Sequence, residues 1–178
     1  MSPSTGTALE KAAQTEYQAG RYARAGELFA QAAEQFLAEG EPLRCAENHN
    51  NHSVALLQGG DAQAALQAVL GTEETFAQAG DRHRQALALG NQAAALQALG
   101  RAPEALAVYQ RAGGLLSETG DQGAYAIVMQ RISELQLKSG RQFEALASMR
   151  ASLARKEKLS VKEKLLKKLL EVPLRMLQ

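Results

Sequence analysis

The chain has 178 residues, 46% of them hydrophobic but only 4% aromatic, no tryptophan, and a formal net charge of +1. That length suits one domain with a well-buried core, and near-neutrality removes any overall pull toward nucleic acid or membrane. One cysteine excludes an internal disulfide, no apolar run approaches the roughly 20 residues of a membrane span, and the opening "MSPSTGTALEKAAQTEY" lacks a signal pattern.

Alanine, leucine and glutamine fill the chain while β-branched residues are scarce, so propensity predicts an all-α, cytoplasmic protein. Glycines stand at 20, 40, 60, 80, 100, 120 and 140 and are of two alternating kinds. Gly20, Gly60, Gly100 and Gly140 lie in "AGRYARA", "GGDAQAA", "LGRAPEA" and "SGRQFEA"; Gly40, Gly80 and Gly120 lie in "AEGEPLR", "QAGDRHR" and "ETGDQGA". The spacing predicts a forty-residue unit of two antiparallel helices, each about sixteen to nineteen residues long, joined by glycine turns.

The first unit spans about 6–40 and opens with an amphipathic helix near Thr7. The second, about 41–80, begins with the most polar run in the chain, "CAENHNNHS", residues 45 to 53. Cys45, His49 and His52 are spaced by four and three and share a helical face. With an outside group they could hold zinc, but no second ligand pair follows and His83 lies a helix-pair away. The alternative is two half-buried histidines bonded to neighbouring groups, because His49 shares its column with Leu9, Leu89 and Met129, and His52 with Ala12, Gln92 and Ile132. No nucleophile–base pair and no phosphate-cradling loop can be named, so neither an enzyme nor a cofactor is expected.

The third unit, about 81–120, and the fourth, about 121–158, repeat the same columns. Ala25, Ala65, Ala105 and Ala145 are invariant across the units; Phe29, Val69, Tyr109 and Met149 are large; Ala32, Thr72, Ala112 and Ser152 are small. Such alternation at three- and four-residue spacing marks closely packed helix faces. Pro103 falls in the first turn of its helix, where its missing N–H is harmless.

From Arg150 the character changes: residues 150–178 hold nine Lys or Arg against three Glu, a net of +6, whereas the preceding 149 hold eleven against sixteen, a net of −5. Ser160 and Glu163 form a capping-box signature. Val161, Leu165, Leu166, Leu169 and Leu170 then make an apolar stripe up to Pro173, with Leu174, Met176 and Leu177 beyond it. This basic helix, within residues 160–178, is expected to cap the stack. Contact with anionic lipid and self-association are its other readings, membrane contact being the less expected.

The unit resembles a tetratricopeptide repeat in its longer forty-residue form, as in Pins-type adaptors and kinesin light chain. Leu89, Gly90, Asn91, Ala93, Gly100, Ala105, Tyr109 and Ala112 of "ALALGNQAAALQALGRAPEALAVYQRA" carry the likeness, which extends over four units, about residues 6–158. The resemblance implies an α-solenoid of four helical hairpins, right-handed, whose first helices line a concave groove for a partner peptide or helix. Transferred position by position, that groove comprises Glu10, Gln14, Tyr17 and Gln18; Glu47, Asn50, Val54 and Leu57; Leu87, Gly90, Ala94 and Gln97; and Ile127, Gln130, Glu134, Leu137 and Lys138. It lacks the lysine–arginine set with which carboxylate-clamping co-chaperones of that family hold a C-terminus. The expected function is a non-enzymatic adaptor for a protein or peptide partner. A self-assembling homo-oligomer, joined through the basic helix or the open first unit, is the alternative, and a metal protein built on Cys45, His49 and His52 a weaker one.

Overall fold

The computed structural model describes residues 4–156 and 158–171, so Pro173, Leu174, Met176 and Leu177 lie outside the described residues. Ten α-helices and no strand occur among them: α1 (Thr5–Gln18), α2 (Tyr22–Ala38), α3 (Pro42–Gln58), α4 (Ala62–Val69), α5 (Thr72–Gln78), α6 (Arg82–Ala98), α7 (Ala102–Thr119), α8 (Gln122–Lys138), α9 (Gln142–Arg155) and α10 (Val161–Glu171). From α1 to α9 the helices pack on their chain neighbours except at the α4–α5 break, where both pieces pack on α3 and α6, giving an all-α solenoid of helical hairpins.

The twenty-residue glycines produce this geometry. All seven adopt positive φ, between 72° and 90°, a conformation that side chains resist. Six of the seven close a double turn of one kind. After α2, for example, Gly40 N–H donates to Leu37 O at 3.1 Å and Glu41 N–H to Phe36 O at 2.8 Å. Orphan carbonyls at the helix end are thereby satisfied while the chain reverses. The next helix often starts with an aspartate cap: Asp61, Asp81 and Asp121 accept from the N–H of Ala64, Arg84 and Ala124, each at 2.9 Å. Pro103 sits in a first turn as expected, and Pro42 does so as well.

Two length expectations are corrected. α1 and α9 are only 14 residues long, and the second helix of the second unit is broken. Leu70 is extended, Gly71 is left-handed at φ 81°, and the chain restarts as α5. Thr72 stabilises the break, its hydroxyl donating to Val69 O at 2.7 Å, and Glu73 and Glu74 follow in the first turn of α5, where the helix dipole favours acids.

The main core runs through the second to fourth units. Leu66, Val69, Leu89, Leu96, Leu106, Tyr109, Leu116, Val128, Ile132 and Leu135 are buried together. The first unit has its own clusters, one around Leu28 and Phe29 and another around Phe36 with Ala32, Ala33 and Cys45. The small column packs as expected: Ala32, Thr72, Ala112 and Ser152 are all buried. The α8–α9 pair is more polar, with Ser133 Oγ donating to Ala145 O, Ser152 Oγ to Ala126 O and Ser148 Oγ to Gln136 Oε1 across it. These buried hydroxyls are satisfied, as the dry interior requires.

α10 touches α9, and its capping box forms. Glu163 N–H donates to Ser160 Oγ at 3.3 Å, and Ser160 N–H donates back to Glu163 Oε2 at 2.8 Å. Its apolar stripe is divided. Leu166 and Leu170 are half-buried, whereas Val161, Leu165 and Leu169 remain exposed, as do Phe143 and Leu146 on α9.

Candidate partner-binding face

The first helices α1, α3, α6 and α8 form a continuous series, each bracketed to the next by side chains. Arg44 on α3 donates to Glu10 on α1 at 2.7 Å, Asn91 on α6 donates to Asn50 on α3 at 3.4 Å, and His83 on α6 meets the Asp121 cap of α8 at 2.9 Å. That order follows from sequence, because residues forty apart occupy equivalent positions on helices that stack in register.

Recesses open along this face between successive first helices. Between α1 and α3, over Phe29 of α2, lies a pocket of about 200 Å³ lined by Gln14, Tyr17, Gln18, Asn51 and Val54. Between α6 and α8 lies a groove of about 260 Å³. Leu87, Gly90 and Ala94 form one wall, Ile127 and Arg131 the other, and Tyr109 and Leu116 of α7 the floor. Gly90 has nothing within 4 Å of the position a Cβ would take. Leu87 and Ile127 are exposed at the rims, 38% and 62%. The floor is polar at one point: burial pushes the Tyr109 hydroxyl up to about 12, so it remains protonated as a donor. Gln97, one turn beyond Ala94, lies outside the groove lining, and its Oε1 is buried without a partner. The groove lining therefore combines apolar side chains with the polar groups of Asn91, Tyr109 and Arg131.

Of the other residues of the predicted groove, those of the first two units are engaged within the stack, while those of α8 lie at its surface. Glu10 binds Arg44 and also accepts from Asn48 Nδ2 at 3.0 Å. Asn50 is buried, with its amide donating to Ala46 O at 3.3 Å and its carbonyl accepting from Asn91. Glu47 pairs with Arg84 at 3.3 Å, and Leu57 is half-buried against the main core. Gln130 donates to Glu134 at 3.1 Å, which also pairs with Arg131; Leu137 and Lys138 are exposed.

Sequence reading missed a repeated bracket. Arg44 stacks over Phe36 at 3.8 Å from the ring centroid, and Arg84 over Phe76 at 5.2 Å. Both pairs are arginine eight residues after phenylalanine, forty residues apart; the next copy has Leu116 and Ala124 and loses the contact. The guanidinium covers the ring and lends a cation–π term while its head reaches Glu10 or Asp81.

Cys45, His49 and His52 all face α2. Cys45 is buried against Ala32, Ala33 and Phe36, and the His52 ring lies over Gly26, where an added Cβ would stand 3.4 Å from Cδ2. Among the described residues no three His, Cys, Asp or Glu side chains converge closely enough for a metal ion. Burial holds both imidazoles below their usual range, with the nearby Glu34 carboxylate opposing this at His49 and the charge of His49 adding to it at His52. Because the unfolded chain then takes up protons first, stability is full above about pH 6.5 and declines as the pH falls below it. Thermal melting between pH 7.5 and 5.5 is expected to show a falling midpoint, and H49Q/H52Q to flatten the slope; an equal slope in both would remove the histidines as its cause.

The family comparison decides what this architecture belongs to. The model of a family described as "Soluble NSF attachment protein, SNAP" matches residues 5–172, nearly the whole chain. The chain belongs to the SNAP family. No curated protein matches the sequence. SNAP proteins are helical-repeat adaptors of the tetratricopeptide-like kind that bind protein partners, and the stacked hairpins of this SNAP-family chain are of that form. No described helix of the SNAP-family chain is long and apolar enough to cross a membrane.

Proposed function

We propose that the chain is a non-enzymatic adaptor that holds an apolar segment of a protein partner in the groove between α6 and α8. Its units are read as forty-residue tetratricopeptide repeats, and its place of action as the cytoplasm, consistent with a single buried thiol. The observation that carries the proposal is the open slot above Gly90, walled by Leu87 and Ile127 and floored by Tyr109. A bulky aliphatic or aromatic side chain of a peptide or helix would fill this slot, and the Tyr109 hydroxyl would donate to a backbone or side-chain acceptor beside it. The family name denotes attachment to another protein, which is the same class of function.

Filling the slot tests this. Ligands are selected from a displayed library of amphipathic peptides and titrated against the wild type and Gly90→Leu. Gly90 lies inside α6 at negative φ, so leucine suits the helix, and the fold is expected to persist. Affinity is expected to fall about tenfold or more, the effect of displacing one buried anchor. Unchanged affinity would place the ligand elsewhere.

A second reading, self-assembly at the end of the stack, is favoured by Phe143, 77% exposed, beside Leu146 on α9. Light scattering across a concentration series separates it from the first.

A further inference from the structure

Helix α10 carries a feature that groove binding does not use. Its exposed residues Val161, Leu165 and Leu169, at 83%, 61% and 62%, recur every four residues and form one stripe along the outer side. At 100° per residue, Lys162 stands on one border of that stripe and Lys164 and Lys168 on the other, and all three are exposed. The helix is tied to the body from its other side: Leu166 and Leu170 are half-buried, α10 contacts α9, and Lys156 Nζ donates to Glu163 at 2.5 Å.

From this arrangement we infer that α10 docks the chain on an anionic lipid surface, with Val161, Leu165 and Leu169 entering the headgroup–acyl boundary and Lys162, Lys164 and Lys168 binding lipid phosphates and carboxylates. An apolar stripe flanked by lysines on both borders matches a bilayer interface, because the ammonium groups reach the headgroups while the stripe is immersed. Charge complementarity supports the same occupant: the last 29 residues carry a net +6 in a chain that is otherwise −5. A second copy fits poorly. Isologous pairing of two α10 helices would bring lysine borders together, and a stripe three residues long covers far less than the roughly 800 Å² per partner of a stable interface. The contact is peripheral and reversible, since one short helix supplies a single anchoring signal.

Flotation of the full chain with vesicles tests the inference. Vesicles of phosphatidylcholine with phosphatidylserine are expected to carry the protein, and phosphatidylcholine alone is not. Raised salt is expected to release it, as screening shortens the reach of the lysines. Two variants separate the contributions. Leu165→Ser/Leu169→Ser is expected to lower the bound fraction about tenfold or more, and Lys162→Gln/Lys164→Gln/Lys168→Gln by about fivefold per lysine. The wild type failing to float with anionic vesicles, or both variants floating undiminished, would overturn the proposal. It would equally fall if the leucine variant changed the mass in light scattering, or melted several degrees lower, since the stripe would then be covered by another copy or by the chain itself. Binding of an acidic helical peptide without vesicle binding would assign α10 to a protein instead.

Discussion

Phe36→Ala is expected to cost about 3–5 kcal/mol, the usual penalty for emptying a fully buried aromatic site. Phe36 is 0% exposed and packs with Ala32, Ala33 and Cys45. Its ring lies so close to α1 that a Cβ added at Gly6 would stand 2.8 Å from Cε1, and Arg44 covers the other side. One side chain thus joins α1, α2 and α3, and small residues surrounding it cannot collapse to fill the space. Against a total stability on the order of 5–15 kcal/mol, that loss is large. Urea denaturation measures it, and hydrogen exchange is expected to place it in the first unit, because a stack transmits loss mainly to nearest neighbours. A midpoint within experimental scatter of the wild type would mean that α1 is not held by this contact.

Leu87→Glu with Ile127→Glu is expected to abolish partner binding while leaving the fold intact. Both side chains stand at the groove rims and are well exposed, so a charge there meets water in the free protein and costs little. In the complex two carboxylates would be buried against an apolar segment without partners, the arrangement that penalises binding most. At about 2 kcal/mol for each anchor lost, affinity would fall about a thousandfold. Circular dichroism and melting are expected to match the wild type.

Much of the fold was legible because the glycine count is a physical instruction. Every glycine at a twenty-residue interval takes the left-handed conformation that ends a helix, and the columns between them set the packing. What was missed shows where such counting fails. Gly71 lies off the count, and glycine alone does not decide: Gly113 and Gly114 remain helical within α7. The distinguishing signal was local, a glycine followed by Thr72, Glu73 and Glu74, which is the chemistry of a helix start.

The face was legible in outline and less so residue by residue. Helical periodicity places Glu10 and Asn50 on the same columns as Gly90, and the structure turns both toward Arg44, Asn48 and Asn91. A column tells which way a position points; it does not tell which neighbour a polar side chain satisfies. The same limit hid the Arg44–Phe36 and Arg84–Phe76 brackets, whose partners sit on consecutive helices rather than on one face. α10 was readable as a helix from its capping box, while the exposure of half its stripe depends on how the chain approaches from α9.

The central claim is that the α6–α8 groove grips the partner, and the direct measurement is a paired titration with one selected peptide. L87E/I127E is compared with A107E/Q110E, which adds the same two charges at exposed positions of α7 outside the groove lining. The account predicts a loss of about a thousandfold for the first and wild-type affinity for the second. Equal affinities for the two variants would contradict it.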